Sequence, residues 1–158
     1  MTVLLDPGLG YSDARLKALH RLWQDKTEAH KIEARGALPS RAEFTPLEMR
    51  DFLSDLYMVD VAHSGRFRYR LIGTAITQRV GRDVTGKYFD QIYAPEVLEN
   101  FCASFHWIAR HKLPLRSYGT MAFSDQEYLS FEALEVPLAS DGVTVDIILG
   151  VVAVRSAK

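Results

Sequence analysis

The ten residues VDIILGVVAV, Val145 to Val154, are apolar at both alternating positions. In an extended strand Ile147, Leu149 and Val151 point one way, and Ile148, Val152 and Val154 the other. Asp141-Gly142 just upstream is a tight-hairpin signal, so this strand runs antiparallel to its predecessor. Antiparallel sheets usually leave one face in water and alternate apolar with polar residues. A strand without that alternation needs cover on both faces, which calls for helices on each side of one sheet.

Candidates for the cover lie upstream. Ser12 or Asp13 caps a long helix that stops at Gly36, with Leu16, Leu19, Leu22, Trp23 and Ile32 forming one stripe. A polar link, GALPSRAEF, follows. TPLEMRDFL then reads as a second helix, with Thr45 as cap, Pro46 at the first helical position and Glu48 closing a capping box. From Leu56 the period becomes two. LYMVDVA and FRYRLIG flank HSGR as a β-hairpin, with Phe67, Tyr69 and Leu71 on one face and Arg66, Arg68 and Arg70 on the other. The arginine row suits an edge strand, where charge blocks edge-to-edge pairing.

Short helical turns occupy 74–92, and Pro95 opens a helix to His111 whose Val97, Leu98, Phe101, Phe105 and Ile108 follow helical spacing. Three strands close the chain at 115–123, 128–138 and 143–155, the first two linked by SDQE. The expected fold class is α+β: a five-stranded antiparallel sheet with a helical crossover after strand two, preceded by a long amphipathic helix. The 95–111 helix covers one sheet face. The first helix, alone or with a partner subunit, covers the other.

Composition excludes several functions. At 158 residues the chain makes one domain, and its net charge of −1 gives no general attraction to nucleic acid or an anionic membrane. The single cysteine, Cys102, excludes an internal disulfide and a Cys-rich zinc site, and beside Phe101 it reads as a small buried side chain. MTVLLDPGLG lacks the basic start and apolar length of a signal peptide, and no run approaches the roughly 20 apolar residues of a membrane span. A cytoplasmic protein is expected.

GRDVTGKY, Gly81 to Tyr88, is one residue short of a phosphate-binding loop. Tyr88 replaces the metal-binding hydroxyl residue, Asp83 adds negative charge, and AITQRV before it reads as a helical turn rather than a buried strand. The segment RFRYRLIGTAITQRVGRDVTGKYFDQIY, with LPSRAEFTPLEMRDFLSDLYMVDV before it, resembles a PAS (Per-Arnt-Sim) sensor domain. It is similar to the stand-alone PAS-like family common in alphaproteobacteria, where YRLxGT leads through a short helix to GxDxTGK and FDxI. The resemblance divides the chain into an N-terminal helical extension, 1–36, and a PAS-like sensor domain, 37–158. It also makes Gly81 and Gly86 turn residues between small helices. The Asn that many PAS domains carry after the second strand is absent, and Thr74 stands there.

The resemblance implies a non-catalytic sensory and signalling module, without an output domain of its own, that binds a small organic molecule or a protein partner. Ligand-pocket candidates are Tyr69, Leu71, Phe101, Phe105, His106, Tyr118 and Phe131, with Arg116 and Glu132 as polar anchors. Two alternatives stay open: a haem-binding gas or redox sensor, and a small isomerase or hydrolase of the α+β cone type. No cofactor is predicted. His106 and His111 are five apart, about 140° around a helix, and cannot chelate one metal together. NFCASF resembles a flavin-attachment motif only superficially and lies on the later helix. No metal-ligand motif or catalytic dyad emerges. His30 is expected in solvent. The two-faced last strand further predicts a homodimer in which Leu16, Leu19 and Trp23 pack on the outer sheet face and across a two-fold axis.

Overall fold

The computed structural model describes residues 2–33, 36–124 and 127–156. Its elements are β1 (Thr2–Asp6), α1 (Ala14–Glu33), β2 (Leu56–Val61), β3 (Phe67–Ile72), α2 (Thr74–Val80), α3 (Pro95–His111), β4 (Leu115–Ser124), β5 (Glu127–Leu138) and β6 (Ile147–Ser156). One antiparallel sheet has the order β1-β4-β5-β6-β2-β3. The fold is α+β and PAS-like. Part of the SDQE link lies outside the described residues.

β6 lies between β5 and β2, which is why it is apolar on both faces. On the inner side α3 brings down Phe105 and Ile108, 3% and 0% exposed. Phe67, Phe89 and Phe105 pack as one aromatic group there. On the outer side α1 buries Leu16 and Leu19 completely, and Trp23 donates its indole N–H to the Pro137 carbonyl at 2.9 Å. Each fully buried leucine contributes about 1.5–3 kcal/mol. Leu16, Leu19 and Trp23 are therefore consumed within the chain, which corrects their assignment as a dimer interface. The helix, 20 residues and about 30 Å long, packs on β5 and β6.

The sheet has six strands rather than five. β1 adds to the edge beyond β4, with Val3 opposite Gly119. A Cβ on Gly119 would collide with the Thr2 carbonyl, so the glycine permits the approach. The Asp6 carboxylate then accepts from the Gly8 and Gly10 amides at 2.9 and 2.8 Å, turning the chain toward α1.

TPLEMRDFL does not form the expected helix. The capping box does form: Glu48 accepts from the Thr45 amide at 2.9 Å and returns its own amide to Thr45 Oγ1 at 3.3 Å. Successive turns then replace the helix, because Phe44, Met49 and Phe52 are each drawn into the core. His30, expected in solvent, is buried, and the Glu43 carboxylate sits 2.7 Å from its Nε2.

Two strand details position the site. A bulge between Met58 and Val59 pairs Val59 with Tyr69 but Met58 with Leu71. Tyr69 faces inward while Leu71 passes to the outer face, and Ile72 takes the inward position opposite Tyr57. β6 starts at Ile147 rather than 143, because the preceding residues are folded into a loop. Asp141 accepts from the amides of Val143 and Thr144, and Asp146 accepts from Ser140.

Candidate ligand cavity

Between α3 and the inner sheet face lies a cavity of about 500 Å³. Its floor alternates along the strands: Tyr57 on β2, Tyr69 and Ile72 on β3, Ser117 on β4, then Phe131, Ala133 and Glu135 on β5. Val97, Phe101, Ser104 and Phe105 of α3 form the roof. Ile76, Thr77, Arg79 and Val80 of α2 form one side, and Tyr93 and Val3 also reach the space. The Tyr69 and Tyr93 hydroxyls share a hydrogen bond at 2.7 Å, and Tyr93 stacks on Phe101 with ring centres 4.4 Å apart. That contact fixes the segment after α2 to the roof.

One charged residue is built into the floor. Glu135 is 3% exposed, and Tyr57 donates its hydroxyl to Oε1 at 2.8 Å. Oε2 has no hydrogen-bond partner among the described residues. Burial pushes the carboxyl up to about 7, while the hydroxyls of Tyr57, Ser117 and Ser104 pull the other way. Burial, reinforced by Glu135, also holds the Tyr57 phenol well above its usual range. Arg79 and Arg82 are the cations of the lining, and both are exposed, so they stand at the mouth.

A family model for the PAS domain matches residues 12–153, a span that takes in α1 as well as the sheet from β2 to β6. The chain belongs to the PAS domain family. No curated protein and no solved structure matches it. PAS domains are in general sensory modules rather than catalysts, and this one keeps the space between long helix and sheet open.

Of the sequence candidates, Tyr69, Phe101, Phe105 and Phe131 meet around the cavity. The others do not. Leu71 is turned away by the β2–β3 bulge. His106 is exposed on α3, with its ring against Phe67 at 4.8 Å. Arg116, Tyr118 and Glu132 belong to the outer sheet face, because Gly119 is the residue opposite Phe131 and alternation sends Tyr118 and Glu132 the other way. Arg116 pairs there with Asp6 at 3.2 Å and Glu132 at 3.4 Å, while Glu132 accepts from the Ser12 amide at 2.7 Å. These residues anchor the entry to α1.

Sequence reasoning missed Tyr57, Ser104, Ser117 and Glu135. For Glu135 a signal existed: alternation from Phe131 through Ala133 leads to it, and it is the charged residue on that otherwise apolar set.

The Gly81–Tyr88 loop folds as turns, as expected. Gly81 closes α2 with φ 75°, and Gly86 has φ 83°. The Gly86 amide donates to the Tyr69 carbonyl at 2.6 Å, and the Tyr69 amide to the Lys87 carbonyl at 3.1 Å. Asp83 accepts from the Thr85 amide at 2.9 Å. Amides committed to these partners do not form a phosphate cradle. The segment instead covers part of the free edge of β3; Arg66, just before the strand, pairs with Asp90, and Arg68 and Arg70 share Asp60. The arginine row thus lies on an edge strand, as its sequence suggested.

Proposed function

We propose that this PAS domain is a sensory module whose cavity holds a small organic molecule and whose signal leaves through a protein partner. A single observation carries the reading: an open space of about 500 Å³ under α3, lined mostly by apolar and aromatic side chains. Filled protein cores hold few voids larger than a water molecule. Small-molecule sites are roughly 300–1,000 Å³, with apolar walls and a few placed polar groups. Glu135, Tyr57 and the two serines are such groups.

The haem alternative loses support from the placement of its ligands. His106 is exposed outside the cavity, and His111 ends α3 stacked on Trp107. Homodimerisation through Leu16, Leu19 and Trp23 loses its premise, since all three are buried in the same chain. No described helix is long and apolar enough to cross a membrane, and a cytoplasmic location is part of the proposal.

Native mass spectrometry and thermal shift on the freshly purified chain, with and without Ala133→Leu, test the reading. Ala133 is on the cavity floor, and the larger side chain occupies ligand space. The expected result is a co-purifying or added small molecule that stabilises the natural chain and fails to stabilise the variant. A variant that binds the same molecule equally well would overturn the cavity as its site.

A further inference from the structure

Two polar features of the cavity are left without full partners by the protein itself. At the buried end, Glu135 Oε2 makes no hydrogen bond among the described residues, although its residue is 3% exposed. The Ser104 and Ser117 hydroxyls also act on this carboxyl, but neither completes a hydrogen bond to Oε2. A buried polar atom left so costs about 1–3 kcal/mol, which a further partner would recover. At the exposed end, Arg82 forms no ion pair among the described residues. Arg79 stands a long 3.6 Å from Asp55, whose close partner is Arg15 at 2.8 Å. Between the two ends the walls are aromatic: Tyr69, Tyr93, Phe101, Phe105 and Phe131.

We propose, building on the reading of the cavity as a ligand site, that it takes an aryl monocarboxylate carrying a hydroxyl at the end away from the acid group. The ring lies against the aromatic walls, the hydroxyl meets Glu135 Oε2, and the carboxylate faces Arg79 and Arg82. Two guanidiniums at the mouth favour an anion there and oppose the entry of a cation. A cation at the floor would also need a fully ionised, desolvated Glu135, which is costly in such a site. A hydroxyl avoids that cost. It donates to an ionised Oε2 and accepts from a protonated one, so it satisfies the atom in either state of a carboxyl that burial holds near 7. Flat rings offer the faces and edges that the surrounding Phe and Tyr rings pack against.

Calorimetric titration of the full chain with 4-hydroxyphenylacetate, phenylacetate and 4-hydroxyphenylacetamide tests the class, with indole as a neutral cavity probe. The hydroxy acid is expected to bind about fivefold or more tightly than either the acid lacking the hydroxyl or the uncharged amide. Arg82→Ala should erase the advantage over the amide, and Glu135→Leu the advantage over phenylacetate. The ligand comparison on the unmodified chain stands even if Glu135→Leu fails to fold. Equal affinity for all three compounds would overturn the proposed class. Indole binding that Ala133→Leu abolishes, without any preference for the hydroxy acid, would leave the cavity reading standing while ending this one. Absence of binding by every probe would overturn both.

Discussion

Tyr57 donates its hydroxyl to Glu135 Oε1 at 2.8 Å across an intervening strand. The register makes this possible: Gly150 of β6 lies opposite Tyr57 on one side and opposite Glu135 on the other. The tyrosine ring occupies the space a side chain at 150 would need, and a Cβ there would collide with it. Gly150→Ala should therefore expel the ring and break its bond to Glu135. Forcing a methyl into a packed interior costs about 1–3 kcal/mol, and the lost hydrogen bond adds to that. Urea unfolding measures the cost. A change below about 0.5 kcal/mol would contradict the packing described.

Glu135 should make stability depend on pH. Its folded value is raised to about 7 from an ordinary 4.5, so the folded state binds the proton more tightly than the unfolded state. The stabilisation this gives is fully present below about pH 4.5 and is lost as pH rises through about 7. Glu135→Gln keeps a group able to accept from Tyr57 but cannot ionise. Relative to the natural chain it should gain up to about 3 kcal/mol between pH 4 and pH 8. Denaturation series at the two pH values check this, and a constant difference would refute it.

Leu19 lies on the α1 stripe and is fully buried within the chain. Leu19→Ala should cost about 2–5 kcal/mol through a cavity in the chain's own core, with the loss the same at every protein concentration. A variant of unchanged stability but weakened self-association would return this stripe to an interface.

Arg15 and Asp55 join α1 to the turn before β2 at 2.8 Å, with side-chain exposures of 31% and 8%. The two ends are not equivalent. Without Asp55, Arg15 is still bound to Asp13 at 2.9 Å and partly hydrated. Without Arg15, the buried carboxylate retains a long 3.4 Å hydrogen bond from the Ser54 hydroxyl and the 3.6 Å contact with Arg79. Arg15→Ala should thus cost about 2–3 kcal/mol and Asp55→Ala about 1 kcal/mol. Chemical denaturation of both variants at neutral pH decides, and the reverse order would rule this account out.

Apart from the helix expected at 45–53, the order of helices and strands from residue 14 onward was legible in the sequence, because each of those elements announces itself over a few turns or pleats. Val145–Val154 needs no tertiary information to demand cover on two faces. Pro95 and the spacing of Phe101, Phe105 and Ile108 are enough to draw α3. The positive φ of Gly81 and Gly86 follows from turns that the local motif already marked. Tertiary structure alone decided what depended on distant partners or on a single residue of register. β1 pairs with residues more than a hundred positions away, and nothing in TVLLD names them. The capping box at Thr45 promised a helix that the core, drawing in Phe44, Met49 and Phe52, replaced with turns. In the cavity one bulge exchanged Leu71 for Ile72, and alternation exchanged Glu132 for Glu135. A shift of one residue reverses which face of a sheet a side chain occupies. The family resemblance therefore implied an aromatic-lined pocket, but only the pairing of β2 through β6 placed the buried carboxyl inside it.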